Sequence, residues 1–175
     1  MVRRNSRRRA DAGAGATVRV QCAGSAGRAP TAALVASWAQ AAGAPPGATL
    51  TVRLVGRLTS ARLNATFRGR AGPTNVLAFP AGPMPAVDEP ELGDLVVCLP
   101  LVAEEARAQG KRQRDHLAHL VVHGTLHLLG HDHDRPAKAR KMEAAEIRIL
   151  RGLGVPDPYR PGRQVSTNAV RRKRT

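Results

Sequence analysis

Four short segments of the chain carry the apolar patterns expected of β-strands. In two of them, 16–21 and 49–55, apolar and polar residues alternate, which predicts strands. The segment 74–79, TNVLAF, predicts a third strand. The segment 94–99, DLVVCL, is almost entirely apolar, a pattern typical of a central strand buried on both faces. The Pro- and Gly-rich segment 80–93 predicts a loop.

Five further segments predict helices. The longest apolar one ends at Gly130, because glycine readily adopts the left-handed conformation that ends a helix. The helices are expected at 30–42, 58–66, 102–111, 113–129 and 136–154. Because strands and helices interleave, the predicted fold class is α+β, α/β-like in character, with a single mixed sheet of about four strands packed with about five helices.

The chain divides into one domain at 16–159 and two basic tails. The 1–15 tail holds five arginines and one aspartate, and the 160–175 tail holds six basic residues and no acid, within a net charge of +15. Both tails lack an apolar period and are expected to be disordered. Tails of this charge favour a polyanionic partner, nucleic acid above all, with a solubility role as the alternative.

Composition also indicates the compartment. No apolar run reaches the roughly 18 residues that span a bilayer, and the N-terminus lacks the apolar segment of a secretory signal. We therefore expect a cytoplasmic protein with no membrane partner, with an Arg-rich organellar transit peptide as the alternative. Cys22 and Cys98 are far apart in sequence and are expected to be reduced, buried thiols.

Aromatic residues are scarce, and this bears on how RNA would bind. A platform that stacks single-stranded bases needs several exposed rings. The full set is Trp38, Phe67, Phe79 and Tyr159. If RNA binds this protein, arginine contacts to phosphate would therefore dominate the binding.

Three of the six histidines have the spacing of metal ligands. In HGTLHLLGHDH, His123 and His127 are four residues apart on a helix, so both imidazoles lie on one face. Gly130 allows a chain reversal that can return His133 as a third ligand. Three neutral imidazoles favour zinc or another late first-row ion and leave the fourth position open for water, as in catalytic sites. A metal cleft is therefore expected at the long histidine-bearing helix.

Other polar residues around this motif have two open interpretations each. His116 and His119 lie on the same side of the helix and could line the cleft or pack, with packing slightly favoured. His131 could act behind the ligands or contact substrate. Asp132 and Asp134 could orient imidazole N–H groups or be solvated turn residues.

Position 124 distinguishes this site from a protease. Metzincin proteases carry H-E-x-x-H-x-x-G-x-x-H, in which the glutamate is the general base. The spacing and the glycine match here, but Gly124 stands where that glutamate would be. A metalloprotease is therefore disfavoured, and the site is expected to serve metal-assisted chemistry that does not need this base.

Two further motifs precede the histidine motif. HGTLHLLGHDH is preceded by LNATFRGRAGPTNVLAFP at 63–80 and LGDLVVC at 92–98. Taken in this order, the three motifs resemble the YbeY endoribonuclease family of ribosomal RNA maturation. The resemblance extends from about residue 16 to Tyr159, through the closing GVPDPY. It implies a compact sheet-and-helix domain with one zinc ion per chain. The residues that match the family's zinc ligands are His123, His127 and His133.

The resemblance also implies a substrate-binding arginine. The family's important arginine, in a Y-R-G-K-like segment, matches Arg68 in FRGR. An arginine fork there could hold phosphate oxygens, although Arg62 and Arg70 are close competitors. Two departures are Phe67, where tyrosine is common, and Ala78, where serine is common, which puts any hydrogen bond from that hydroxyl in doubt.

The resulting hypothesis is a zinc-dependent, single-strand-specific endoribonuclease. It would act in 3′ end maturation of the small-subunit, 16S-type ribosomal RNA and in ribosome quality control. Arg68 and His123 are the candidate catalytic residues. Expected partners are single-stranded and ribosomal RNA, the small ribosomal subunit and its assembly factors. The alternative is a non-enzymatic ribosome-assembly factor with a structural zinc.

Overall fold

The computed structural model describes residues 16–22, 30–82 and 91–160. The 1–15 tail and all but Arg160 of the 160–175 tail lie outside the described residues, so their predicted disorder stays a prediction. Within these ranges nine elements follow one another. They are β1 (Thr17–Cys22), α1 (Ala32–Ala41), β2 (Thr49–Val55), α2 (Arg57–Arg68), β3 (Val76–Pro80), β4 (Glu91–Cys98), α3 (Leu99–Ala108), α4 (Gln113–Leu128) and α5 (Pro136–Gly152).

The strands form one mixed sheet in the order β1-β2-β4-β3. Strands β1, β2 and β4 are parallel, and β3 runs antiparallel to β4 at one edge. In this register Val52 of β2 and Ala78 of β3 both lie opposite Leu95 of β4. The predicted mixed sheet of four strands with five helices is confirmed, and so is the inner position of its most apolar strand.

The boundaries of β4 and α3 differ most from the prediction, and α3 begins and ends three residues earlier than the expected 102–111. The strand begins at Glu91, inside the segment expected to be a loop, and Leu99 belongs to α3 instead of the strand. Gly93 has a φ of +130°, and a Cβ at this position would lie 2.2 Å from the carbonyl oxygen of Phe79. The close approach of β3 and β4 therefore requires glycine here. The glycine that suggested a loop is in fact a condition for strand pairing.

The main core lies between one face of the sheet and the helices α1 and α4. Leu50 of β2 and Leu95 of β4 are fully buried there, together with Trp38 of α1 and Val121 of α4. Helix α4 also packs against α3, α5 and β3. Its position is therefore fixed from several sides, which matters because it carries most of the histidines.

Helix α2 covers part of the opposite face of the sheet. Successive strand residues point to opposite faces, so Val55 and Val96 leave the main core and form a smaller cluster under Leu63 of α2. Edge strand β1 is mostly exposed. Cys98 is buried as expected, but the prediction of a buried thiol is wrong for Cys22, which is exposed at the end of that edge strand. In the described part of the chain, no helix combines the length and apolarity that a membrane crossing needs.

Candidate metal centre

One face of α4 carries a row of four histidines. His116, His119, His123 and His127 follow one another at spacings of three and four residues, which keeps side chains on one helix face. Neighbouring ring centroids are 6.2, 6.1 and 4.6 Å apart along the row. The row therefore extends from the first turn of the helix to its C-terminal end.

The chain reverses directly after α4. Gly130 has a φ of +87°, and its backbone N–H donates to the carbonyl of His127 at 2.9 Å. This left-handed turn returns the chain towards the helix. The ring centroid of His133 then lies 5.7 Å from that of His123 and 4.9 Å from that of His127.

The three histidines singled out in the sequence are brought together. One ring nitrogen from each lies within 4.8 Å of the other two, and Nε2 of His123 is 3.2 Å from Nε2 of His127. Two nitrogens that bind a tetrahedral zinc at about 2.0–2.1 Å lie roughly 3.3 Å apart, so this spacing fits one ion. His133 is the exposed member of the set. The group can therefore hold a metal ion with an open position towards solvent.

The electrostatics of His127 favour the form that binds a metal. Burial lowers the pKa of His127, and the neighbouring His123 and His133 lower it further. A metal ion binds the unprotonated nitrogen of an imidazole. The lowered pKa therefore keeps His127 in its ligating form at neutral pH.

Behind the row of histidines lies a carboxylate that the sequence analysis missed. Glu146 of α5 is fully buried. Its Oε1 lies 2.7 Å from Nδ1 of His123, and its Oε2 lies 2.9 Å from Nε2 of His119. Oε2 also accepts a hydrogen bond from the hydroxyl of Tyr159. Glu146 thus joins α4, α5 and the segment that follows α5.

Glu146 is ionised in this setting. Burial raises the pKa of Glu146, but hydrogen bonds from His119, His123 and Tyr159 more than offset burial and lower the pKa to about 2. Burial and the adjacent carboxylate both raise the pKa of Tyr159. Its hydroxyl therefore stays protonated and donates a hydrogen bond to Glu146. The result is a buried negative charge whose hydrogen-bond partners are all donors.

The first histidine of the row belongs to a separate network. Nε2 of His116 lies 2.7 Å from the carboxylate of Glu105 in α3, which also accepts a hydrogen bond of 3.1 Å from Asn75. His116 is only 5% exposed, and burial lowers its pKa although Glu105 acts in the opposite direction. These contacts favour the packing interpretation for His116. His119 instead lies against Glu146, next to the three-histidine set.

The acids of the turn contact the backbone and a lysine. Asp132 accepts from the backbone N–H of His133 at 2.7 Å, and Lys138 pairs with both Asp132 and Asp134. About half of each acidic side chain is exposed. This geometry favours solvated turn residues over groups that orient an imidazole. The side chain of His131 forms no hydrogen bond within the described part of the chain and is exposed.

Known proteins match this chain over most of the same region. The family model described as Endoribonuclease YbeY matches residues 25–154. A protein of Alkalilimnicola ehrlichii named endoribonuclease YbeY is 58% identical over 127 residues, which cover 71% of this chain and 76% of that protein. This chain belongs to the YbeY endoribonuclease family. The membership expected from the motifs is therefore confirmed.

A further relative and one solved structure also match this chain. An endoribonuclease YbeY of Methylococcus capsulatus is 52% identical over 131 residues, which cover 75% of this chain and 87% of that protein. A Thermotoga maritima protein solved in solution is 23% identical with a TM-score of 0.48, and the match covers 82% of this chain and 99% of that chain.

The arginine at the YbeY family's motif position is the last residue of α2. Gly69, with a φ of +62°, ends the helix directly after Arg68. The Arg68 side chain is exposed and forms no hydrogen bond or ion pair with any described residue, and the same holds for Arg62 and Arg70. No hydrogen bond joins Arg68 to the three histidines, so its role in catalysis stays a prediction.

The loop that follows this arginine is anchored by two buried polar residues of α2. Ser60 donates to the carbonyl of Thr74 at 2.7 Å and accepts from its N–H at 3.0 Å. Asn64 donates to the carbonyl of Gly72 at 2.9 Å. These bonds engage the backbone of Thr74 that strand pairing would otherwise use. For this reason β3 begins at Val76, two residues later than the predicted start at position 74.

The two residues that depart from the YbeY pattern, Phe67 and Ala78, both lie in apolar contacts. Phe67 is 63% exposed and lies edge to face against Phe79, with 5.0 Å between ring centroids. Ala78 packs against the main core. A serine there would bring a hydroxyl into that contact, so alanine suits the packing.

Gly124 faces the sheet. A Cβ at this position would lie 2.6 Å from Cδ2 of the fully buried Leu95. Contacts this short force a packed neighbour to move. A side chain at the position occupied by the metzincin glutamate would therefore displace Leu95 from its place in the core.

We expect Gly124→Glu to lower the free energy of unfolding by several kcal/mol, on the order of 3–5, because it forces a carboxylate into an apolar contact. Urea denaturation followed by circular dichroism measures this loss. The matched control is Gly152→Glu at the exposed end of α5, where nothing lies within 4 Å of a Cβ. That change should cost less than about 1 kcal/mol. A Gly124→Glu protein as stable as the wild type would contradict this packing account.

Proposed function

We propose that this protein is a zinc-dependent endoribonuclease that cleaves single-stranded RNA. The observation that carries the proposal is the convergence of His123, His127 and His133 in a chain of the YbeY family. Three imidazoles suit zinc and leave a coordination position for solvent or substrate. The exposed side of the site, at His133, gives a long polymer access to that position.

The residues of the chain have distinct roles in this proposal. His123, His127 and His133 would hold the ion, which when bound would polarise a phosphodiester oxygen, lower the pKa of a water molecule, or do both. Arg68 binds the scissile phosphate, and its planar fork offsets the negative charge that develops in the transition state. Large exposed aromatic rings are few among the described residues, namely Phe67 and Tyr159. Phosphate contacts therefore dominate RNA binding.

The proposed cellular role is 3′ end maturation of small-subunit ribosomal RNA and ribosome quality control in the cytoplasm. Membership of the YbeY family supports this role. The net charge of +15 and the basic tails suit a large polyanion such as a ribosomal particle. The proposed partners are single-stranded ribosomal RNA, the small ribosomal subunit and its assembly factors.

Removal of the metal tests the proposal. The purified protein is loaded with one equivalent of zinc and mixed with an end-labelled single-stranded RNA or the same RNA in a duplex. We expect cleavage of the single strand, a loss of more than about 100-fold after chelation, and recovery when zinc is returned.

Two outcomes would count against it. Cleavage that survives both chelation and the His123→Ala change would point to a contaminating nuclease. A protein that keeps zinc, loses melting temperature on chelation and binds ribosomal particles without any turnover would favour the assembly-factor alternative.

A further inference from the structure

The buried carboxylate of Glu146 has no role among the proposed metal ligands. A buried charge is costly unless hydrogen bonds and opposite partial charges compensate it. Here the compensation is extensive: Glu146 is fully buried and is contacted by His119 and His123 of α4 and by Tyr159. Three polar partners on one buried acid indicate that its position is specified closely.

The contact with His123 fixes where the proton of that imidazole lies. Nε2 of His123 faces the three-histidine set and would bind the ion through its lone pair, so the ring hydrogen would lie on Nδ1, which is 2.7 Å from Oε1 of Glu146 and would donate to it. In a neutral ring the other nitrogen, Nε2, then carries the lone pair. Nε2 is also the atom that lies 3.2 Å from Nε2 of His127, on the side of the three-histidine set. The carboxylate therefore turns the free lone pair of His123 towards the metal position.

The remaining contacts hold the carboxylate itself in place. Its second oxygen, Oε2, is 2.9 Å from Nε2 of His119 and accepts from the hydroxyl of Tyr159. The rings of His119 and Tyr159 meet edge to face, with centroids 5.6 Å apart. The carboxylate is therefore held from both sides, and its free rotation is restricted before any metal binds.

We infer that Glu146 is the positioning residue of the metal centre, because it fixes the tautomer and the ring orientation of His123 and so raises the affinity for zinc. This inference rests on the proposed function, since it concerns the same ion. It adds that α5 and the segment at Tyr159 determine metal affinity although neither supplies a ligand. Residues that orient a ligating histidine in this way typically change metal affinity by about 10- to 100-fold when replaced.

Metal affinity provides the first test. Zinc affinity is measured by competition with a chromophoric chelator for the wild type and for Glu146→Gln, Tyr159→Phe and Glu143→Gln. Glu146→Gln should weaken zinc binding by about 10- to 100-fold. Glu143→Gln removes the same charge from the exposed face of the same helix and should leave the affinity unchanged. Tyr159→Phe removes one hydrogen bond to the carboxylate and should have an effect between these two.

The tautomer of His123 provides a second test, which a merely structural role would not change. Two-bond ¹H–¹⁵N NMR correlations of the metal-free wild type should show the His123 proton on Nδ1, and Glu146→Gln should shift the ring towards a mixture of tautomers. A wild-type ring protonated on Nε2 would overturn the inference even if Glu146→Gln does not fold. A folded Glu146→Gln protein with wild-type zinc affinity would also overturn it, as would a wild type that binds no zinc. A wild type that binds zinc but cleaves no RNA would overturn the proposed function and leave this inference standing.

Discussion

Replacing His123 by alanine should abolish both zinc retention and RNA cleavage. The ring of His123 lies at the centre of the site, with Nε2 beside His127 and Nδ1 on the carboxylate of Glu146. Its loss leaves two ligands for the ion, and we expect zinc affinity to fall by about 100- to 1,000-fold. The lost hydrogen bond to a buried carboxylate should also lower the free energy of unfolding by about 1–3 kcal/mol. Metal content after gel filtration, chelator competition and urea denaturation measure the three effects.

Two neighbouring histidines serve as controls for this prediction. His131→Ala changes an exposed imidazole of the same turn that lies outside the three-histidine set, and it should leave the zinc content unchanged. His133→Ala removes a proposed ligand that forms no hydrogen bond with Glu146, so zinc should be lost with little change in the stability of the metal-free protein. Stoichiometric zinc in His123→Ala would show that this histidine is not a ligand.

The structure shows which parts of the fold depend on local sequence. The alternation of apolar and polar residues in β2 gave both ends of that strand correctly, because this pattern is a property of the segment itself. It did not show that β2 is buried on both faces, since Thr49 and Thr51 are buried as well. The start of β4 was wrong because the role of Gly93 depends on the carbonyl of Phe79 in another strand. The start of β3 was wrong for a similar reason, since the side chain of Ser60 holds the backbone of Thr74. These boundaries depend on tertiary contacts that a single segment does not reveal.

The same distinction applies to the site. The convergence of His123 and His133 could be predicted because one helix and one glycine turn connect them. Glu146 is 23 residues from His123, on a different helix. The sequence did contain an indication that Glu146 is buried. It lies midway between the buried Met142 and Leu150, four residues from each, on the core-facing side of α5. An acid at such a position needs a partner, but only the packing of α5 on α4 identifies that partner.

Arg68→Ala should lower kcat/KM for RNA cleavage by about 100- to 1,000-fold, the usual effect of removing a group that stabilises transition-state charge. The zinc content should not change, because no hydrogen bond joins Arg68 to the three histidines. The free energy of unfolding should change by less than about 0.5 kcal/mol, because the exposed side chain has no polar partner among the described residues. Steady-state kinetics on zinc-loaded protein, together with urea denaturation, separate these quantities.

Variants of the neighbouring arginines test whether RNA cleavage depends on the position of Arg68 or only on its positive charge. Arg62→Ala and Arg70→Ala remove the same charge from the same exposed segment and should lower kcat/KM by less than about tenfold, as expected for general attraction of RNA. Arg68→Lys keeps the charge but loses the two-pronged donor geometry, so it should recover only part of the lost rate. Equal losses in all three alanine variants would mean that the segment attracts RNA without placing one side chain on the scissile phosphate. Full activity of Arg68→Ala would remove Arg68 from the mechanism and leave the metal centre as the proposed source of catalysis.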